Sequence, residues 1–439
     1  MQKRVGNVRW RIAALLGVGI VINYFDRVNL SVATTPLIKE FHFTNAEIGL
    51  LLSSYLWSYT LLQIPVGTLL DRVGIKWMMR IGTILWSVAS FMTAIVSGLG
   101  LILLSRILLG IGEAPAFPGA SKATGYWFPI KERGRATTTF DAAAKFSSAL
   151  GLPIIALVVS AYGWRAAFWT TGILSLIYAV AYWVLYRDPG ESSGLSATER
   201  DYIVEGGSQQ EGAVPTNTTA NLRFLLRQRK IWGLTLGFSC YNYAFNLFLV
   251  WLPGYLQTQL HASVLKSGLY LIIPWLVAGV ADVLIGGVLV DKLIASGYEP
   301  TKVRRVLFTV GMLLGIAAIG AAFTANVNVA VTWLTISLAG LAFAAPIAWS
   351  IPSLIAPKGT VGTVGGIMNF LGNLAGIVAP IVAGIVADRT GFGVNFLITG
   401  AILLVGIFCF LFLLGRIEQI EAPPADISGI TERIHTPAA

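Results

Sequence analysis

Seven ionisable side chains stand inside otherwise apolar stretches of this 439-residue chain: Asp26, Arg27, Arg106, Glu113, Asp141, Lys145 and Asp282. Charge within a bilayer costs a few kcal/mol or more per group, so such residues are kept for ion or substrate handling. Their spacing narrows the chemistry. Asp26 and Arg27 are adjacent, so on one helix their side chains diverge by roughly 100° and each must find a different partner. Arg106 and Glu113 are two turns apart, about 10.5 Å, and share a helix face. A guanidinium offers a planar fork to a carboxylate, and a carboxyl whose cationic partner comes and goes can take up and release a proton. Asp141 and Lys145 stand at i, i+4 and can neutralise one another. Amides recur at the same spacing, Asn242 with Asn246 and Asn369 with Asn373, and can bind hydroxyls without adding charge.

These groups must be positioned by membrane-spanning helices. The chain is 55% hydrophobic and only 12% charged, too apolar for a soluble domain of this length. At about 20 residues per crossing, twelve spans are predicted near 12–37, 46–69, 81–98, 99–120, 136–160, 166–186, 231–256, 267–290, 305–324, 328–354, 361–386 and 392–415. The net charge of +10 reports topology rather than a nucleic-acid partner. Most of the 31 Lys and Arg fall in the tails and alternate loops, which predicts both termini on the cytoplasmic side. The basic N-terminus followed by an apolar run imitates a signal peptide, but the run is too long and carries Asp26 and Arg27, so an uncleaved first helix is expected. Cys240 and Cys409 lie within spans and His42, His261 and His435 in loops or the tail. That excludes a disulfide framework or a Cys/His metal site, and no cofactor is expected.

Between Arg187 and Lys230 the hydrophobicity collapses into a Ser-, Gln-, Asn- and Thr-rich stretch. The organisation expected is a six-helix half over 1–186, a cytoplasmic linker over 187–230, a second half over 231–416 and a cytoplasmic tail over 417–439. The halves echo one another. Gly67-Thr68-Leu69-Leu70-Asp71-Arg72 follows the second span and Gly287-Val288-Leu289-Val290-Asp291-Lys292 the eighth, both G-x-L-x-D followed by a cation. Asp71 can cap the next helix or pair with Arg or Lys across the loop, so this segment, Arg72 included, can latch the cytoplasmic face in one conformation.

Gly67 to Lys76 resembles the loop signature of the major facilitator superfamily, and Arg106-x-x-x-Gly110-x-Gly112-Glu113 its fourth-helix signature. Asn23-Tyr24-Phe25-Asp26-Arg27-Val28-Asn29-Leu30-Ser31 and Gly110-Ile111-Gly112-Glu113-Ala114-Pro115 are similar to the anion:cation symporter family, whose members take up sugar acids and other organic anions with protons. The resemblance implies an all-α membrane protein of twelve transmembrane helices in two pseudo-symmetric six-helix halves, the major facilitator fold. It implies that Asp26 and Glu113 couple protons, that Arg27 binds the substrate carboxylate, and that Arg106 pairs with a neighbouring carboxylate. Tyr24, Tyr59, Gln63 and Trp349 match substrate-facing positions. The Asp141–Lys145 pair departs from the neutral polar residues that sugar-acid members carry there.

The expected function is proton-coupled import of a small organic anion, a sugar acid, dicarboxylate or sulfocarboxylate, across a bacterial inner membrane by a monomer. The alternative is a proton-coupled antiporter that exports drugs or metabolites; of its Gly-Pro fifth-helix signature only Gly151-Leu152-Pro153 is present. An enzyme is not expected, since neither a metal cluster nor a nucleotide-binding loop can be read. Protonating Asp26 and Glu113 would leave Arg27, Arg106 and Lys145 against Asp141 alone. That balance suits a dianion, with Lys145 as a second anchor opposite Arg27.

Overall fold

A membrane-spanning chain must satisfy every backbone N–H and C=O internally, and helices do so within one segment. The structure, a computed structural model, describes residues 6–208, 219–357 and 361–421, and no strand occurs among them. Twelve long helical stretches follow in chain order: α1 (Val8–Val32), α2 (Asn45–Val73), α3 (Ile75–Ile95), α4 (Leu99–Trp127), α5 (Ile130–Tyr162), α6 (Trp164–Leu185), α7 (Arg229–Thr258), α8 (Val264–Ala295), α9 (Pro300–Ala322), α10 (Val327–Ser350), α11 (Val361–Thr390) and α12 (Gly393–Leu414). Among the described residues, nine of these are long and apolar enough to cross a membrane. The other three, α2, α5 and α7, run 29, 33 and 30 residues and carry more polar or proline-bearing sequence. Large apolar side chains such as Ile84, Val88, Leu176, Val180, Leu276 and Leu404 are exposed on the outside, as lipid contact requires. The side chains of Asp71, Asp141 and Lys145 lie outside the described residues, although their helices are described.

Helix ends depart from the hydropathy reading where proline intervenes. The first span was expected over 12–37, but α1 ends at Val32 and a short helix, Thr34–Phe41, follows a bend at Ala33. Pro36 has no N–H to return to the Val32 carbonyl. That carbonyl instead accepts from Gln257 Nε2 of α7 at 3.3 Å. The fourth stretch breaks at Ala114–Pro115 into Leu99–Glu113 and Ala116–Trp127, which sets Glu113 at the last position of a helical segment. In α8 the turns from Asp282 to Leu289 widen to a π-helix, an irregularity common at functional sites.

Two hydrophobic clusters form the interior. One is built largely from the terminal side of the first six helices and includes Leu16, Tyr55, Trp86, Leu109, Phe140 and Tyr178. The other spreads through α7 to α12 and takes in the earlier helices at Val28–Leu52, Ala149–Val159 and Trp164–Phe168. The first six helices thus meet the last six at the end opposite the chain termini. Hydrogen bonds join them there: Ser31 donates to the Val250 carbonyl, and the Asp388 carboxylate accepts from the backbone N–H of Asn45 and Ala46 at 3.0 and 2.8 Å. Asp388 of α11 thereby caps the first turn of α2. At the terminal end, part of the polar stretch after Arg187 is folded. The helix Ala197–Glu205 docks on α1 through buried Glu199, which accepts from the backbone N–H of Val8 and Arg9 and from Arg9 Nη1 at 2.9 Å.

Candidate functional site

The middle of α1 carries the charge. Asp26, Arg27 and Asn29 are all buried, and the helical turn sends Asp26 and Arg27 to different neighbours. The Asp26 carboxylate accepts from Ser90 Oγ of α3 at 2.6 Å and Ser175 Oγ of α6 at 2.9 Å. One turn on, Asn29 Nδ2 donates to Thr171 Oγ1 at 2.9 Å. Asp26 is 1% exposed and sits behind the interface between the helix sets, within the first six helices.

Arg27 faces the other way. Its Nε donates to Glu113 Oε2 at 3.0 Å, a pair in which Glu113 is fully buried. The guanidinium carbon lies 4.9, 5.2 and 5.0 Å from the ring centroids of Tyr24, Tyr55 and Tyr59, a three-sided aromatic box that favours a desolvated cation. Among the described residues Arg27 Nη2 and Glu113 Oε1, both buried, have no hydrogen-bond partner. The pair therefore uses Arg27 Nε and Glu113 Oε2 and leaves Arg27 Nη2 and Glu113 Oε1 in reserve.

Arg106 is also buried, 5.5 Å from the Tyr55 ring centroid. Its Nη1 donates to the Asp26 backbone carbonyl at 3.2 Å, and no carboxylate oxygen lies within 4.0 Å among the described residues. The ion pair expected for Arg106 is made in this conformation by Arg27. Close approach of α4 to α2 makes this geometry possible, because a Cβ on Gly110 would collide with the Tyr55 carbonyl and Ser58 Oγ.

Asp26, Arg27, Arg106, Glu113, Tyr24 and Tyr59 thus come together. Trp349 of α10 is 47% exposed and packs edge-on against Phe238 at 5.5 Å, while Asn369 of α11 is half-buried. Near these residues Asn242 Nδ2 of α7 donates to the Gly372 carbonyl at 2.6 Å and Asn246 Nδ2 to the Asn242 carbonyl at 3.0 Å. Asn373 Nδ2 and Gln63 Nε2 are buried without a partner among the described residues. Arg72 is exposed at the terminal end of α2, and Asp282 is buried at the start of the π turns.

The sequence reading missed Tyr55, Ser90 and Ser175. Tyr55, which touches both arginines, had a signal, since it lies one turn before Tyr59 on the same face. The serines had none, because single hydroxyls in apolar helices are common and usually bond back to their own helix.

A family model described as Major Facilitator Superfamily matches residues 16–380. An uncharacterised transporter, YybO, of Bacillus subtilis is 41% identical over 421 residues, 95% of this chain and 97% of the relative. A probable L-galactonate transporter of Escherichia coli is 36% identical over 430 residues, 96% and 92% of the two chains. A probable galactarate/D-glucarate transporter, GarP, of Escherichia coli is 32% identical over 436 residues, 96% and 98%. Among solved structures, a bacterial homologue of the human lysosomal transporter Spinster superposes with a TM-score of 0.76 at 18% identity, covering 96% of this chain and all of the other.

Proposed function

The chain belongs to the Major Facilitator Superfamily, and from that premise we propose that it is a proton-coupled symporter that imports a small organic anion by alternating access. Its two six-helix halves, over 1–186 and 231–416, rock about the site. The observation that carries this reading is Arg27: its buried guanidinium gives one N–H to Glu113 and holds Nη2 unpartnered inside a box of tyrosines. An incoming carboxylate meets a fork with a donor in reserve. The relatives' names, galactonate and galactarate or glucarate, are those of small acids of this kind.

The same geometry supplies the coupling. Removing one member of a buried ion pair costs about 3–5 kcal/mol, because it leaves a charge without compensation. A substrate carboxylate can therefore take Arg27 from Glu113 at low cost only as Glu113 gains a proton. One anion then faces Arg27 before and after, and a proton enters with the substrate. Asp26 is the second proton site, held by Ser90 and Ser175, and Arg106 bridges the two through the Asp26 carbonyl and Tyr55. Tyr24, Tyr59, Trp349 and Asn369 give neutral contacts to the body of the substrate, and Asp71 with Arg72 acts at the terminal-side gate.

Lys145 is the second anchor, so dianions are preferred to monoanions, provided Asp141 leaves its charge available. The distribution of Lys and Arg supports a bacterial inner-membrane orientation with both termini on the cytoplasmic side. The sealed end, closed by Asp388, then faces outward. The test is binding of galactarate and galactonate to the purified protein in wild type, Arg27→Ala and Lys145→Gln. Loss of both ligands in Arg27→Ala and selective loss of galactarate in Lys145→Gln are expected. Unchanged affinity in Arg27→Ala would overturn the reading.

A further inference from the structure

Asp26 poses a problem of access. At 1% exposure, enclosed by α1, α3 and α6, it has no direct route to water for any proton it binds. The helices beside it do hold a row of polar groups. Ser175, Tyr178 and Tyr182 on α6 and Tyr186 at its C-cap succeed one another at three- and four-residue steps along one face. The Tyr178 and Tyr182 ring centroids are 6.0 Å apart, and those of Tyr182 and Tyr186 are 4.7 Å apart and stacked. All three tyrosines are buried. The row starts at Ser175 Oγ on the Asp26 carboxylate and ends where Tyr186 Oη donates to Asp188 Oδ1 at 3.1 Å, at the terminal end of the bundle.

The facing side of α1 matches it. Gly19, Asn23 and Asp26 lie one turn apart, and a Cβ at Gly19 would collide with the Tyr178 hydroxyl. Asn23 is fully buried, and neither its Nδ2 nor its Oδ1 has a partner among the described residues; the same holds for Tyr178 Oη, Tyr182 Oη and Trp86 Nε1. Trp86 stacks on Tyr178 at 5.8 Å. Each buried polar group left unmade costs about 1–3 kcal/mol. Phenylalanine would fill the same volume without that cost, so packing alone does not account for hydroxyls at 178 and 182. Polar groups spaced by one helical turn, about 5.4 Å, are at the separation one bridging water spans.

We infer that this seam between α1 and α6 is a hydrated proton path connecting Asp26 with Asp188 at the terminal-end surface. The inference rests on the reading of Asp26 as a proton site. In each hop a hydroxyl or water accepts a proton on its lone pair and passes on its own, so the chain is unchanged after transit and needs no co-reactant. The proton leaves the Asp26 carboxyl, which becomes carboxylate, and is delivered to the Asp188 carboxylate and then to bulk water. Ser90 and Arg106 hold Asp26 from the other sides. At the surface end, Arg80 and Asp188 are the charged groups acting on Tyr182, with Arg80 seated over Trp77 and Trp183. The path is separate from the Arg27 site, so the proton and the anion need not share an exit.

The test needs no substrate. In purified protein the infrared carboxyl band that Asp26→Asn removes is followed after a pH jump, and its rate reports proton exchange between Asp26 and bulk water. Tyr182→Phe and Tyr178→Phe should slow that rate by about tenfold or more, while Tyr162→Phe, an exposed tyrosine at the far end, should leave it alone. The two variants guard against misfolding of either one. Wild-type rates in Tyr178→Phe, Tyr182→Phe and the double variant, with the band present, would overturn the path and leave the proton site standing. Absence from wild type of any band sensitive to Asp26→Asn would overturn the proton site, and the path with it.

Discussion

The helices before residue 186 and those after residue 229 both bury amides, Asn23 and Asn29 among the former, but differ in the charge that they bury. Around the middle of α1 the first six enclose two acids and two arginines, Asp26, Arg27, Arg106 and Glu113. The last six bury amides, Asn242, Asn246, Asn373 and Asn395, with Asp282 as their buried carboxylate among the described residues. The two kinds of polarity answer different demands. A buried charge must be compensated at every stage, so moving it drives other charges and suits coupling. An amide can exchange one neutral partner for another at small cost, so it suits recognition of a neutral hydroxylated surface. Under the proposed function, protons and anionic groups fall to one side of the site and substrate shape to the other.

The hardest blow to that contrast comes from the charged side. Arg27→Ala should weaken galactarate binding by at least about a hundredfold, since a desolvated carboxylate would lose its ionic partner. Arg27→Lys should rescue little, because an ammonium cannot offer a fork. Equilibrium binding measures both: near-wild-type affinity in Arg27→Ala would place the anion elsewhere, and full rescue by Arg27→Lys would mean that charge without the fork holds it.

Glu113→Gln separates binding from coupling. A permanently neutral side chain leaves Arg27 uncompensated until substrate arrives, so substrate exchange in proteoliposomes should persist while accumulation driven by a proton gradient is lost. Asp26→Asn should likewise abolish accumulation. If both variants concentrate substrate as wild type does, the charged side does not couple.

On the amide side effects should be smaller and selective. Asn369→Ala and Asn242→Ala should each cost about 1–2 kcal/mol, roughly a factor of 5–30 in affinity, for a polyhydroxylated anion. They should change little for an unhydroxylated dicarboxylate of similar length. Equal losses for both would mean that the amides hold helices together and do not read hydroxyls.

The smallest effect lies at the sealed end, outside the spans. The Trp164 indole donates to Glu40 at 2.6 Å and Arg165 pairs with it at 2.6 Å, and these contacts hold the Glu40 carboxyl below its ordinary value. A carboxyl depressed in the folded state stabilises it above the unfolded pKa, about 4.3, and that contribution is lost as pH falls through the lower folded value. Melting temperature should therefore drop a little more steeply below about pH 4 in wild type than in Glu40→Gln. Both side chains are more than a third exposed, so the difference should be slight and screened by salt.

Much of this was legible in the sequence for one physical reason: the bilayer makes polarity expensive, so a charge in an apolar run announces itself. Hydropathy located the twelve helices, and the neighbouring positions of Asp26 and Arg27 required separate partners. Helix ends were less legible, because Pro36 and Pro115 stop or break helices by removing single hydrogen bonds that average hydropathy does not register. The pairing of charges was not legible at all. Spacing put Arg106 and Glu113 on one face of α4, but which carboxylate takes which arginine depends on how α1, α2 and α4 approach one another, and Glu113 pairs with Arg27 across 86 positions in sequence. The hydroxyl seam along α6 was equally hidden. Its serine and tyrosines are ordinary residues of an apolar helix, and they become a row of buried polar groups only when α1, with Gly19 and Asn23, packs against them. The sequence determined which side chains must be compensated inside the membrane. Only the tertiary structure decided what compensates each, because those partners lie on different helices and their meeting is set by packing.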